Sequence, residues 1–463
     1  MIYISMLVVF ILGYTLIAFE HNLKIDKAAS ALLAGSLCWA IFALGLFEID
    51  INSDNFGKFL SYFQTKDLNY TSEFIAQNID YVKKNFVLHE LSHHLAEIGQ
   101  ILFFLLAAMT IVELVDAHQG FSVITDRIKT NNKVKLMWIL CILSFFFSAT
   151  LDNLTTAIVM SALLTKLIED KKDLWLFAGM IIISANAGGA WSPIGDVTTI
   201  MLWIGGQITA VNIITSVIVP SIVCMIVPLI YLTFKLKGNI QRPSDSEALE
   251  HIMNPTTPFE RKFIFFLGVA GLLFVPVFKT VTHLPPYIGI LLSLGVMWLT
   301  TELLHRSKNY EAKSDLTVIG VLKKVDVPTI FFFLGILLAV ASLQSMGHLN
   351  DMAVILDNTF DGNIYAINII IGLLSAIVDN VPLVAGAMGM YEIGTDVFAV
   401  DGTFWEFLAY CAGTGGSVLI IGSAAGVAVM GILKIDFIWY VKKISFLAFI
   451  GYIAGAITFI LMQ

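Results

Sequence analysis

SATLDNLTT (148–156) and, 227 residues further on, SAIVDN (375–380) each set an aspartate–asparagine pair into the middle of an apolar stretch. The register holds beyond these strings. Gly188-Gly189 falls on Gly415-Gly416, Ile194-Gly195 on Ile421-Gly422, and Gly120 on Gly347 at the same offset. The apolar span 210–234 falls on 437–461. Separated blocks at one fixed offset describe a duplicated unit of three spans, a hairpin, a broken helix and a last span.

Composition says what surrounds these units. Of the 463 residues, 57% are hydrophobic and 13% charged, with a mean hydropathy of +0.84. A soluble domain carries about 25% charged residues, so this chain cannot cover a water-facing surface of its size. The balance of 27 Lys+Arg against 35 Asp+Glu offers no basic excess, and no nucleic-acid partner is expected. Cys38, Cys141, Cys224 and Cys411 lie far apart in apolar stretches, as buried thiols do. An all-α polytopic membrane protein is left, with membrane lipid as its first partner.

A crossing needs about 20 apolar residues. Full spans are expected at 2–19, 28–47, 96–115, 210–234, 263–279, 285–301, 328–345 and 437–461. The first carries no basic residue ahead of it and no small-residue cleavage site after it, so it reads as a helix rather than a removed signal. Four stretches, 136–168, 174–206, 363–391 and 404–432, are interrupted by polar or glycine-rich centres. As one helix, 136–168 would measure about 50 Å, too long for a simple crossing. Both its flanks are basic, which fits a re-entrant hairpin entering from the cytoplasm. Lys24 and Lys27, and the basic linkers 235–262 and 302–327, fall on the same side.

The two copies differ in charge. Window 119–206 holds seven Lys/Arg and window 346–433 holds none, so the second hairpin should enter from outside. Inverted repeats with interrupted helices are the architecture of secondary transporters. The expected division is a first inverted repeat at 1–235 with an outside polar segment at 48–95. A cytoplasmic linker at 236–262 and a second repeat at 263–463 follow, with about ten full crossings plus two hairpins in all.

A carboxylate at membrane depth costs several kcal/mol unless it is paired, protonated or facing a cavity. The broken helices carry NAGGAWSPIGDVTT (186–199) and GTGGSVLIIGS (413–423), in which the glycine pairs and Pro193 are expected to unwind the backbone around such a cavity. Together the interruptions gather Asp152, Asp379 and Asp196 with Asn153, Asn380, Asn186, Thr198 and Thr199. Thr155, Ser148, Ser375, Ser417 and Ser423 stand close by. This all-oxygen set suits a small hard cation rather than copper or zinc. One carboxylate can hold a proton or a metal ion but not both, which is the simplest basis for exchanging Na⁺ against H⁺. Asp152 and Asp379 would also serve as N-caps of returning half-helices, and the glycine pairs as packing sites. Asp196 faces Ser423 at the equivalent position, an acid without an acidic counterpart.

His89-Glu90-Leu91-Ser92-His93 matches HExxH, the zinc-protease signature, with Glu113 twenty residues on. An intramembrane zinc protease is therefore a remote alternative. A polar helix start is the plainer one, in which His93 and Glu97, one turn apart, could form a pH-sensing pair. No Walker or serine-hydrolase motif is present, and neither an enzyme activity nor a cofactor is expected.

At ILFFLLAAMTIVELVDAHQGF (101–121), SATLDNLTTAIVM (148–160), ANAGGAWSPIGDVTTIMLW (185–203), SAIVDNVPLVAGAMGMY (375–391) and YCAGTGGSVLIIGSAAGVAVMG (410–431) the chain resembles the NhaD-type sodium/proton antiporters of the ion transporter superfamily. The resemblance implies exchange of Na⁺ or Li⁺ for H⁺, serving pH homeostasis, in a bacterial inner membrane or an organelle membrane. It also implies a homodimer in which a transport unit moves elevator-fashion against a scaffold. Its ion-site residues fall here on Asp152, Asn153, Asn186, Asp196, Thr198, Thr199, Asp379 and Asn380, with Na⁺ expected at Asp152, Asp379 and Asp196. Ser192 stands where many relatives carry Thr. A Na⁺-coupled carboxylate or oxyanion transporter on the same scaffold is the alternative.

Overall fold

A computed structural model describes residues 2–18, 20–49, 54–66, 71–125, 127–242, 256–306, 308 and 313–463. Most of the expected linker core (243–255), and 309–312 in the next linker, lie outside the described residues. Among those described there is no β-strand, only a bridge between Asn132 and Asn239. Among the described residues nine helices are long and apolar enough to cross a membrane. The protein is an integral, multi-pass, all-helical membrane protein.

The chain forms two compact units. The first comprises 1–102, 327–362 and 385–392. It contains α1 (Ile2–Ala18), α2 (Lys27–Leu44), α3 (Asp54–Lys66) and most of the solvent-side half of α4 (Ile79–Ala117). The polar segment 48–95 does more here than link spans. Phe56, Phe59, Val82 and Phe86 from it are buried against Cys38, Trp39 and Phe42 of α2. With 39 residues, α4 runs about 58 Å, so it extends well beyond the span read at 96–115.

The second unit comprises 103–326, 363–384 and 393–463. Its first copy runs through α5 (Lys133–Leu151), α6 (Asn153–Leu167), α7 (Lys171–Ala190), α8 (Val197–Ile204) and α9 (Ala210–Lys235). After α10 (Pro258–Thr282) and α11 (Pro286–Leu304), and after α12 (Val327–Met346) and α13 (His348–Phe360) of the first unit, the second copy follows. It consists of α14 (Ile364–Leu374), α15 (Asn380–Met390), α16 (Thr403–Gly415), α17 (Ala424–Leu433) and α18 (Phe437–Met462). At the 227-residue offset the bounds of α9 fall on those of α18. Asp196 and Ser423, N-caps of α8 and α17, share an extended backbone, with φ −148° and −142°.

Contacts repeat with the sequence. Ser148 Oγ donates to the carbonyl of Ala185 (2.5 Å), and Ser375 Oγ to that of Ala412 (3.0 Å), at the same offset. Of the paired glycines expected to unwind the chain, only Gly416 sits in a break. Gly188, Gly189 and Gly415 lie inside helices that break only afterwards, at 191–196 and 416–423. A Cβ on Gly188 would stand 2.1 Å from the Phe145 carbonyl, and one on Gly415 1.9 Å from that of Gly372. These glycines let each hairpin pack backbone to backbone on its broken helix.

The two broken helices run antiparallel. Trp175, near the start of α7, donates from Nε1 to the carbonyl of Leu433 at the end of α17 (3.1 Å). At the opposite end, Thr209, before α9, donates to Asp401, before α16. An inverted repeat would place its broken helices this way.

A buried histidine pair closes the ends of α4 and α11. Leu114 O can only accept, so the 2.6 Å bond from His118 Nδ1 fixes the proton there. His118 Nε2 then accepts from His305 Nε2 at 2.7 Å. Burial first, then the charge of Lys308, pushes His305 down to about 4, and burial lowers His118 as well.

Gly415→Ala should destabilise the protein by about 1–3 kcal/mol through overpacking. Gly431→Ala, where a Cβ meets nothing within 4 Å, should not, and thermal unfolding in detergent separates the two. The histidine pair adds a pH dependence whose sign follows from its depressed pKa values. Unfolded histidines take up protons near 6.5, so the contribution is present above about pH 6.5 and is lost as pH falls toward about 4. The melting temperature should decline over that range, and His305→Gln should flatten the decline.

Candidate functional site

Three half-helix N-termini converge in the second unit: α6 at Asp152, α8 at Asp196 and α15 at Asp379. Each aspartate caps its own helix, where the helix dipole favours a negative charge. Asp152, at φ 78°, joins the two arms of the first hairpin. Its oxygens accept from the Thr155 backbone N–H and from Thr155 Oγ1, both at 2.8 Å. Asp379 accepts from the Val381 N–H at 3.1 Å. Both are half-buried. The capping geometry weighed for them in the sequence is therefore present, at the tips of the hairpins.

Asp196 is different, being only 1% exposed. Its carboxylate accepts from Thr198 N–H and Oγ1 (2.9 Å each), from Asn153 Nδ2 (2.5 Å) and from Asn380 Nδ2 (3.2 Å to each oxygen). One asparagine comes from each hairpin tip, so both copies of the repeat meet on one carboxylate. Asp152 and Asp379 stand close enough for their charges to act on it. Asn186 extends the network. Its Oδ1 accepts from Asn153 Nδ2 (3.1 Å), and its Nδ2 donates to Ser417 Oγ (2.9 Å) and Ser423 Oγ (3.0 Å) at the second break.

The remaining expected residues divide. Thr199 Oγ1 accepts from the Asp196 N–H and donates to the Asp196 main-chain carbonyl, closing a capping box in which the Thr199 N–H bonds the Asp196 carboxylate, so its hydroxyl shapes the turn rather than bonding the carboxylate. Ser148 and Ser375 commit their hydroxyls to the staples described above. His93 and Glu97 lie in the first unit, 3.4 Å apart and both largely exposed. The HExxH residues are there too. His89 packs against the rings of Phe59, Tyr62 and Phe63, and Glu90 accepts from Ser345 Oγ. Among the described residues no three His, Cys, Asp or Glu side chains form a metal-holding group.

Two features escaped the sequence. A cavity of about 110 Å³ is lined by Glu113, Asp116, Lys324 and Asp326, and it reaches Leu154 and Thr155 beside Asp152. Glu406 of α16 is buried and accepts from Asn212 and from Ser216 Oγ of α9. No motif marks either one. Single acids in apolar helices share no spacing with partners hundreds of residues away.

The chain matches the Citrate transporter family over residues 4–405. It is 43% identical to Sodium/proton antiporter 1 of Arabidopsis thaliana, over 98% of this chain and 71% of that protein. To Sodium/proton antiporter 2 of the same plant it is 40% identical, over 98% of each. It is 29% identical to the Na⁺/H⁺ antiporter NhaD of Vibrio cholerae, over 99% of this chain and 91% of that one.

Asn186→Leu should cost more than Ser417→Ala. The first removes the amide that bonds the Ser417 hydroxyl, about 1–3 kcal/mol for that buried group, and takes one bond each from Ser423 and Asn153, which keep the Gly426 N–H and the Asp196 carboxylate. The second leaves Asn186 with Ser423 still in place. Thermal unfolding of the two variants in one detergent gives the comparison.

Proposed function

This chain belongs to the Citrate transporter family and to the NhaD-type sodium/proton antiporters, and we propose that it exchanges Na⁺ or Li⁺ for H⁺ by alternating access around Asp196. The observation that carries this is the buried carboxylate clasped by an asparagine from each copy of the repeat. The names of the relatives support the ion pair.

The geometry suggests how one group serves both cargoes. With its carboxylate ionised, Asp196 is held by amide N–H donors. Rotating the amide of Asn153 or Asn380 replaces N–H by Oδ1, turning a donor to the carboxylate into an oxygen ligand beside it. A hard cation then finds carboxylate, amide and threonine oxygens, with Asp152 and Asp379 supplying further charge at the two tips. Protonating Asp196 removes the charge that holds the ion, so Na⁺ and H⁺ displace each other. The cavity lined by Glu113 and Asp116 gives a hydrated approach to the Asp152 tip from the side carrying the basic loops.

The family description also raises anion transport. The groups bonded to Asp196 are amides and a threonine, none cationic, and a carboxylate substrate there would face buried negative charge. Cation exchange is the better fit. We place the protein as a homodimer in a bacterial inner membrane, with the unit that holds the site moving and the repeats dividing at the linker 236–262. In this proposal it is a transporter and not an enzyme, and it contributes to pH homeostasis.

Asp196→Asn and Asp152→Asn should each abolish Na⁺-induced proton release in proteoliposomes. Full exchange by Asp196→Asn would overturn the assignment. In the wild type, competition requires the apparent KM for Na⁺ to rise about tenfold per pH unit below the carboxylate's pKa while the maximal rate holds.

A further inference from the structure

We propose that the second unit carries a binding site for an anionic phospholipid, where the start of α7 meets the end of α17 and the start of α18. Trp175 and Trp439 meet there edge to face, ring centroids 5.2 Å apart. The bond from Trp175 Nε1 to Leu433 O fixes the pair. Paired indoles half-buried at a helix start have the placement of interfacial aromatic anchors.

Four lysines surround this pair. Lys171 Nζ stands 4.6 Å over the Trp175 ring. Lys434 follows Leu433 and is exposed, and Lys442 and Lys443 lie one turn past Trp439, also exposed. Nearby acids are already engaged. Asp436 caps α18 at the Trp439 N–H, Asp170 caps α7, and Asp173 pairs with Lys133 at 2.6 Å. Among the described residues none of the four lysines enters an ion pair with them. The capping Asp170 and Asp436 and the exposed Glu169 still count as negative charge, and against these three acids stand five lysines with Lys172 included, so the patch is net cationic.

The backbone is specialised at the same place. Residues 441–445 form a π-helical turn, and Val441, Lys442 and Lys443 are exposed in succession. Such turns are rare and recur at functional sites. The equivalent turn of the first copy, 214–218 in α9, is ordinary α-helix without lysine. The symmetry of the repeat thus does not account for the turn or its charges. Below the lysines, Ile432, Ile438 and Phe446 are exposed, an apolar flank that acyl chains would cover. A soluble anion would use the charges and leave that flank bare. A zwitterionic lipid would bring its own ammonium group to the lysines. A phospholipid with net negative charge satisfies both parts of the surface.

A lipid seated here bridges α7 of one copy and α17–α18 of the other. It would steady the antiparallel crossing of the broken helices without touching Asp196.

The test is lipid retention by the purified full-length protein, followed by native mass spectrometry in detergent with phosphatidylglycerol or phosphatidylcholine. The wild type should retain phosphatidylglycerol preferentially. The triple variant Lys434→Gln, Lys442→Gln, Lys443→Gln should bind it about a hundredfold more weakly, roughly fivefold per lysine. Lys442→Arg with Lys443→Arg should keep binding. Lys235→Gln, which removes a lone lysine stacked on Tyr231, should also keep it and serves as a folded control. Equal retention of both lipids by the wild type, or undiminished binding by the triple variant, would overturn the proposal. So would displacement of the lipid by glycerol phosphate at matched concentration, because the acyl chains would then contribute nothing. Ion exchange is not the readout, so failure here leaves the transport proposal standing.

Discussion

The carboxylate of Asp196 is a charge almost wholly removed from solvent, and the second unit is arranged around meeting its demands. A buried carboxylate without donors would neutralise or force the fold apart. Here its own helix supplies Thr198, and each hairpin tip supplies an asparagine amide. To bring Asn153 and Asn380 to one point, both hairpins must reach equally far into the unit. The staples Ser148–Ala185 and Ser375–Ala412 and the bare faces of Gly188 and Gly415 seat each hairpin on its broken helix. The N–H groups freed at the starts of α8 and α17 are met by the caps Asp196 and Ser423.

Symmetry builds the scaffold and asymmetry places the chemistry. The copies share cap positions, staples and the bounds of α9 and α18, yet Asp196 faces Ser423 and Asn186 faces Gly413 across the repeat. A Cβ at Gly413 would approach Ala190 Cβ to 3.1 Å and lie 4.0 Å from Asp196 Oδ2. A side chain equivalent to Asn186 would therefore crowd the carboxylate that Asn186 helps to surround. The first copy contributes the acid with Asn153, Asn186 and Thr198, and the second contributes Asn380, the Ser417 and Ser423 hydroxyls and the space at Gly413.

Much of this was legible in the sequence because it rests on local rules. Hydropathy located the hairpins and the broken helices, and the fixed offset matched α9 to α18. The broken helices run antiparallel, as the Trp175–Leu433 bond displays. Other features depend on contacts that no window of sequence contains. The glycine pairs were expected to unwind the chain. The packing role of Gly188 and Gly415 is visible only against Phe145 and Gly372, and the first break falls after its pair, near Pro193, while the second opens at Gly416 itself. Segment 48–95 looked polar on average, yet Phe56, Phe59 and Phe86 give it an apolar face. Glu406 stands alone in its helix and finds Asn212 and Ser216 only through folding.

The inverted design also bears on energetics. Exchange requires inward- and outward-facing states of similar free energy, since a ligand shifts an equilibrium only by its differential affinity for the two. Two copies of one unit in opposite orientation can trade conformations, so the second state reuses the packing of the first. Asn153 and Asn380 contact Asp196 from opposite copies, so under the proposed alternating access the carboxylate would keep a comparable partner on whichever side opens. The asymmetric residues then break the degeneracy only locally. Asn186 binds Ser417 and Ser423 across the copies, so any motion that separates the breaks must first release those two bonds. At a net of about 0.5–1.5 kcal/mol each, they are strong enough to bias the state and weak enough to be reversed by an ion or a proton.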